Sequence, residues 1–277
     1  SLNINSWGYE TVPQTGFNGR KGFQPRGKVM GGSSSVNAMV YTRGNPLDYD
    51  NWSALGNEGW SYQEVLPYFK KSEHNECFGE NAYRGVNGPV NVCYLRSPSP
   101  LNQAFIQACN EQGIPFNPDY NGAQQFGVSP AQVTQKGGER WNAARAYLDP
   151  HRHQANLRVI SQAHASQIMF EGKRAIGVKY IVNGVTHEVR ARKEVIVSGG
   201  AFGSPQLLML SGVGPADHLK DLDIPLVHAL PGVGQNLQDH ITTVLIYKTS
   251  KINDAMGFSL KGAVNLVKSI LEWRSKR

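Results

Sequence analysis

The sequence predicts an α/β fold with an α+β portion. Three observations carry this expectation. The apolar run Lys193–Ser198 ends in Gly199-Gly200 and leads into Ser204–Leu210, the pattern of a buried strand, a tight turn and a helix. Between residues 157 and 191, short apolar runs are punctuated by Glu171-Gly172 and Asn183-Gly184, the pattern of successive strands joined by turns. Between residues 45 and 112, capping residues and amphipathic spacing predict helices. At 277 residues, with 40% hydrophobic and 18% charged content, the chain can bury one large core or two small ones and does not read as disordered.

In chain order, residues 1–24 read as an extended, turn-rich entry. Residues 35–43, apolar after a Gly/Ser stretch, predict a short buried helix. A helix follows from Pro46, with Asn45 as its cap and proline in the first turn. Ser61 and Glu64 have the spacing of a capping box, and the aromatic residues around them read as packing. A strand is expected at Val90–Tyr94, an amphipathic helix at Pro100–Gln112, a turn at Asp119–Gly122 and a β segment at Gly127–Gln135. Glu139–Pro150 reads as a helix ended by its proline. Four strands are then expected at Leu157–Ser161, Ala165–Phe170, Ala175–Val182 and Val185–Ala191. Phe258–Trp273 is a basic amphipathic helix, for which packing in a core or interface is the first reading and an anionic membrane surface the second.

The net charge of +7 suits an anionic cofactor, an acidic membrane surface or nucleic acid; no nucleic-acid-binding motif accompanies it, so nucleic acid is not expected. Cys77, Cys93 and Cys109 are odd in number and lack metal-ligand spacing, so they read as free thiols of a reducing compartment, and no metal site is expected. No signal peptide and no apolar run of membrane-spanning length is visible.

The most informative stretch is Pro25–Gly44. Gly27, Gly31 and Gly32 allow backbone N–H groups to approach a ligand closely, and Ser33, Ser34 and Ser35 add small hydroxyls beside them. Such a concavity suits phosphate or a ring carbonyl, and a Gly/Ser loop entering a core helix is the plainer alternative. The wording Gly27-Lys28-x-Met30-Gly31-Gly32-Ser33-Ser34-x-Val36-Asn37, followed by Tyr41, Gly44 and Asp50, resembles the first signature of the glucose–methanol–choline (GMC) flavoprotein oxidoreductases. Gly200–Gly214 resembles the second signature, in the expected order. The resemblance runs from Trp7 to His240.

The resemblance implies a partial FAD-binding Rossmann-like domain with inserted substrate-binding elements. It divides the chain into a flavin-binding segment at 1–59 with its flavin loop at 25–44, substrate-domain elements and a lid at 60–149, a second flavin-binding segment at 150–240, and the start of a substrate domain at 241–277. The flavin-contacting positions map onto Val29, Asn37, Ala38, Met39 and Val40, with an adenine-side backbone contact at Ala165. Some relatives attach FAD covalently through a His just before the Asn. Val36 stands there in this sequence, so FAD is expected to bind non-covalently. Gly199-Gly200-x-x-Gly203 is not read as a nicotinamide site, because it lacks the Gly-x-Gly start and Gly212–Pro215 stops the helix early.

The family's dinucleotide fingerprint and catalytic His are expected to lie outside these residues, and the matching protein to be about twice as long. None of the eight histidines, His240 included, stands in the catalytic context, so no catalytic residue is nominated. The implied reaction is oxidation of the CH–OH group of a primary alcohol to an aldehyde, by hydride transfer to flavin N5, with electrons passing to a quinone or dye. The wording Thr134–Leu148 is closer to the alcohol dehydrogenases of the group. Choline dehydrogenase, an alcohol oxidase, a hydroxynitrile lyase and a non-catalytic remnant of the fold are the alternatives. The isolated chain is expected to bind FAD poorly and show no turnover. The expected location is the cytoplasm, with a peripheral position at the inner membrane as the alternative.

Overall fold

A computed structural model describes residues 4–240, 243–245 and 260–275 of the chain. The chain divides into two compact units, residues 1–157 with 249–277, and residues 158–248.

The first unit begins with a small antiparallel ladder of β1 (Tyr9–Glu10) and β2 (Phe23–Gln24). Next come α1 (Pro46–Ala54) and α2 (Tyr62–Ser72), which start where local chemistry dictates. The Asn45 side chain accepts from the Leu47 amide at 3.0 Å, and Asp48 accepts from the Asn45 amide at 3.1 Å. The Ser61 amide donates to Glu64 at 3.1 Å and its hydroxyl at 2.5 Å, which together hold the Glu64 carboxyl below its ordinary pKa. Asp50 of α1 accepts from the Tyr62 amide at 2.9 Å. Tyr49 meets Trp52 and Phe69 edge-on, with ring centroids 5.4 and 5.6 Å apart; of the aromatics expected to pack, Tyr62 is buried and Phe69 joins the two helices, while Trp60 and Tyr68 are exposed.

A mixed three-stranded sheet follows, in the order β3 (Glu73–Asn75), β4 (Val90–Tyr94), β5 (Gln132–Val133). The first pair is parallel and the second antiparallel. Val92 of β4 and Val133 of β5 are both buried, and they lie on opposite faces, since Val133 pairs with Cys93. The helix α3 (Pro100–Glu111) is capped by Ser99 and buries Ile106. A two-residue hairpin joins β6 (Gln135–Lys136) and β7 (Glu139–Arg140) through Gly137 and Gly138, both at positive φ, 61° and 79°.

The second unit is built on an antiparallel sheet in the order β10-β9-β8, from β8 (His164–Glu171), β9 (Arg174–Val182) and β10 (Val185–Arg190). The Asn183-Gly184 turn takes the doubly positive φ that this dipeptide favours, 50° and 78°. The helix α4 (Gly200–Leu210) packs on β8, where Ser211 Oγ accepts from the buried Ile168 amide at 2.8 Å and donates to Leu207 O at 2.6 Å. Then β11 (Val213–Gly214), α5 (Ala216–Asp221) and β12 (His228–Ala229) close around the fully buried Leu219, with β11 and β12 parallel. The last helix, α6 (Leu260–Ser275), belongs to the first unit. Its Val264, Val267, Ile270 and Leu271 are exposed, so among the described residues this face does not pack into a core. Among the described residues no helix is long and apolar enough to cross a membrane.

Four sequence expectations are corrected. Residues 35–43 are not a buried helix. A 3-10 turn at Gly32–Ser35 ends there, Met39 adopts φ 64°, and Val40 bridges Val133, so the chain leaves to pair with the sheet. Glu139–Pro150 is not one helix. Gly137-Gly138 folds Glu139-Arg140 back as a strand, and the helical part is a π-type turn at Ala144–Leu148 with a 3-10 turn at Asp149–His151. Leu157–Ser161 and Lys193–Ser198 form no ladder: a strand needs a neighbour for its backbone groups, and neither has one among the described residues. The second run is not buried either, with Ile196 78% exposed.

Candidate functional site

The loop at 25–44 is a cradle set by close backbone packing. A Cβ on Gly27 would sit 2.3 Å from Gly32 O, so only glycine fits. Ser33 Oγ accepts from the Gly27 amide at 3.2 Å, Ser34 Oγ donates to Gly31 O at 2.6 Å, and Ser35 Oγ donates to Met30 O at 2.7 Å. The three serines therefore close the loop on itself. A ligand would meet backbone more than hydroxyls.

Beyond the 3-10 turn, Asn37 Oδ1 accepts from the Met39 amide at 3.0 Å, which makes a local turn and explains the positive φ at Met39. Val29 and Val40 are exposed, at 40% and 52%, as are Asn37 and Ala38, while Met39 is half-buried. Among the described residues, the amides of Val29, Ala38 and Val40 and the Asn37 Nδ2 have no hydrogen-bond partner. The loop thus offers several unspent donors beside exposed apolar side chains. That set suits a flat heteroaromatic ring with acceptors along one edge. Ala165, the sixth predicted contact, lies in the other unit, on β8 opposite Tyr180.

The segment after the Gly-Gly hairpin grips this loop. Arg140 Nη1 donates to Ser34 O at 3.0 Å and to Asn37 Oδ1 at 2.9 Å, and its Nη2 donates to Asn37 O at 2.8 Å. Asn142 Nδ2 donates to Ser35 Oγ, and the Ala143 amide to Ser34 Oγ, each at 2.9 Å. Sequence reasoning gave these residues no role. Their partners lie more than 100 positions away, and the one usable signal was the Gly-Gly dipeptide that sets the hairpin.

The loop ends at a buried charged cluster. Glu73 and Arg84 are fully buried. Glu73 accepts from Arg43 Nη2 and Arg84 Nη1, each at 2.8 Å, from Asn75 Nδ2 at 3.0 Å and from the Gly85 amide at 3.2 Å. Arg84 also donates to both carboxylate oxygens of Asp119 and to Gln132 Oε1. Burial opposes the Arg84 charge, but the Asp119 hydrogen bonds and the Glu73 charge outweigh it and raise its pKa. Burial, then Glu73, raises Tyr41 beside the cluster, and burial also raises Tyr62 and Tyr120. The basic residues near the entry serve locally: Lys28 Nζ sits 4.6 Å over the Trp7 ring, and Arg20 and Arg26 donate to nearby carbonyls.

The sequence profile of the family described as GMC oxidoreductase matches residues 9–242. The chain belongs to the GMC oxidoreductase family. Among GMC relatives, the mitochondrial choline dehydrogenase of Mus musculus is 52% identical over 236 residues, 85% of this chain and 39% of that protein. An alcohol dehydrogenase [acceptor] of Pseudomonas putida is 45% identical over 272 residues, 96% of this chain and 49% of that protein. Among solved structures, an FAD-dependent oxidoreductase from Chaetomium thermophilum superposes with a TM-score of 0.88 at 34% identity, covering 100% of this chain and 51% of that one. The chain spans about half or less of the length of these GMC relatives. The α/β architecture expected from the sequence is that of the family.

Proposed function

We propose that this chain is the flavin-binding portion of an oxidoreductase acting on the CH–OH group of a small alcohol, with FAD held non-covalently. The observation that carries the reading is the row of unspent donors on the signature loop: the amides of Val29, Ala38 and Val40 and the Asn37 Nδ2. These would take the acceptor edge of the flavin ring, with Val29 and Val40 against its plane. Ala165 would contribute its backbone on the adenine side. When bound, FAD supplies the acceptor for the alcohol's α-hydride. This chain's residues fix the ring's position and shield it from water. Val36 has no nucleophile, which supports non-covalent binding. Residues 1–59 and 150–240 would form the flavin-binding segments, 60–149 the substrate side with its lid, and 241–277 the start of the substrate domain.

The proposed substrate is a primary alcohol, the product its aldehyde, and the electron acceptor a quinone or dye. The match to the Pseudomonas putida protein across 96% of the chain supports this. The 52% identity to a choline dehydrogenase favours choline as the second reading. On their own these residues would bind FAD weakly and turn over no alcohol, in line with the unpaired runs at 157–161 and 193–198. The proposed location is the cytoplasm, with α6 as the element for peripheral contact with an anionic membrane. The test is dye reduction by the protein expressed in its full genetic context, with a primary alcohol and with choline. Faster reduction with the primary alcohol is expected; faster reduction with choline would replace the first reading by the second. Flavin released intact on denaturation is expected, and flavin retained on the protein would contradict the non-covalent mode.

A further inference from the structure

We infer that Arg140 is a positioning residue that sets which edge of Asn37 faces the flavin; this rests on the reading that the loop at 29–40 contacts FAD. Asn37 can present either its carbonyl oxygen or its amino group to a ligand, and the two are opposite in hydrogen-bonding sense. Its Oδ1 receives Arg140 Nη1 at 2.9 Å and the Met39 amide at 3.0 Å. Turning the amide over would aim its NH₂ at two donors, so the side chain is held one way round. The Nδ2 therefore faces outward as a donor, in line with the free amides of Ala38 and Val40. Arg140 Nη2 fixes the Asn37 backbone as well, through its carbonyl at 2.8 Å.

Arg140 is itself held. Its backbone lies in the hairpin register opposite Gln135, and its carbonyl accepts from Arg145 Nη1 at 3.1 Å. The guanidinium reaches three acceptors from one planar fork, which a lysine ammonium on a flexible stem does not reproduce. The Ser34–Ala143 and Ser35–Asn142 contacts tie the loop to the same segment independently. Loss of the Arg140 side chain should therefore free Asn37 and the Met39 amide, while Val40 stays bridged to Val133 and the hairpin and the 3-10 turn stay in place.

The test compares Arg140→Gln and Arg140→Lys with the unaltered full chain by amide hydrogen exchange without FAD and by titration with FAD. In Arg140→Gln the Met39 amide should exchange about tenfold faster or more, and FAD affinity should fall about tenfold. Exchange in α2 and β4 should be unchanged. Arg140→Lys should keep most of both losses, because it preserves the charge and not the fork. If Arg140→Gln does not fold, Arg140→Lys decides by the same two measurements. Unchanged Met39 exchange and FAD affinity in the variants, or full recovery in Arg140→Lys, would overturn the inference. An unaltered chain that takes up no FAD at saturation would overturn the flavin reading, and the Met39 exchange would still decide whether Arg140 holds Asn37.

Discussion

Two neighbouring regions of the first unit treat hydrogen bonding in opposite ways. In the cluster of Arg43, Glu73, Arg84 and Asp119, two cations meet two anions, and Glu73 accepts four hydrogen bonds. In the loop at 29–40, three amides and the Asn37 Nδ2 are left over among the described residues. The two regions meet opposite edges of the same sheet, with Glu73 on β3 and Val40 bridged to Val133 of β5, and the loop continues into Tyr41, whose amide donates to Gln132 O. The difference separates scaffold from site. In the buried network the charges are matched and, among the described residues, Arg43 Nε is left without a partner, whereas the exposed loop keeps three amides and the Asn37 Nδ2 to spare.

The largest effect should come from breaking the cluster. Glu73→Ala leaves Arg43 and Arg84 buried with one carboxylate fewer, and should destabilise the first unit by about 3–5 kcal/mol, measured by denaturant unfolding. A loss within a few tenths of a kcal/mol would mean that the cluster is not structural. Next in size, Gly27→Ala meets Gly32 O at 2.3 Å and must push the cradle apart. It should lower FAD affinity about tenfold or more while leaving the exchange of β8–β10 unchanged. Asn37→Ala should cost less stability than Glu73→Ala and still weaken FAD, because it removes an outward donor and the Met39 turn together.

The remaining effects concern ionisation. Burial, aided by Cys77, pushes Tyr94 up to about 12, and burial raises Tyr41, Tyr62 and Tyr120 in the same unit. Groups whose folded pKa is raised contribute stability that is present below the unfolded tyrosine value of about 10 and lost as pH rises towards the folded value. The first unit should therefore weaken between about pH 10 and 12, followed by tyrosinate absorbance against circular dichroism. Burial, with Cys93 next, pushes Cys77 up to about 11. Its alkylation near pH 8 should run about a hundredfold below that of an unperturbed thiol, measured by mass spectrometry of the labelled peptides.

What was legible in the sequence follows from range. The Asn45 and Ser61 caps and the Asn183-Gly184 hairpin are decided within four residues, and all were readable. Residues 35–43 read as a helix by their apolar content, but Asn37 captures the Met39 amide and diverts the chain. Arg140–Leu148 has good helix formers, and the preceding Gly-Gly turn overrides them at its start. The run Lys193–Ser198 looks like a central strand because pattern reports apolar content and not the presence of a neighbour. At the site, the signature named the loop residues. Nothing local pointed to Arg140, or to Glu73 meeting Arg43, 30 positions away, and Arg84, 11 positions away.

The most direct test of the contrast between loop and cluster is amide exchange on the chain with and without saturating FAD. The account predicts protection at the amides of Val29, Ala38 and Val40, with no change at Glu73–Asn75 and Gln132–Val133. Protection centred on the cluster, or none at the loop under saturation, would contradict it.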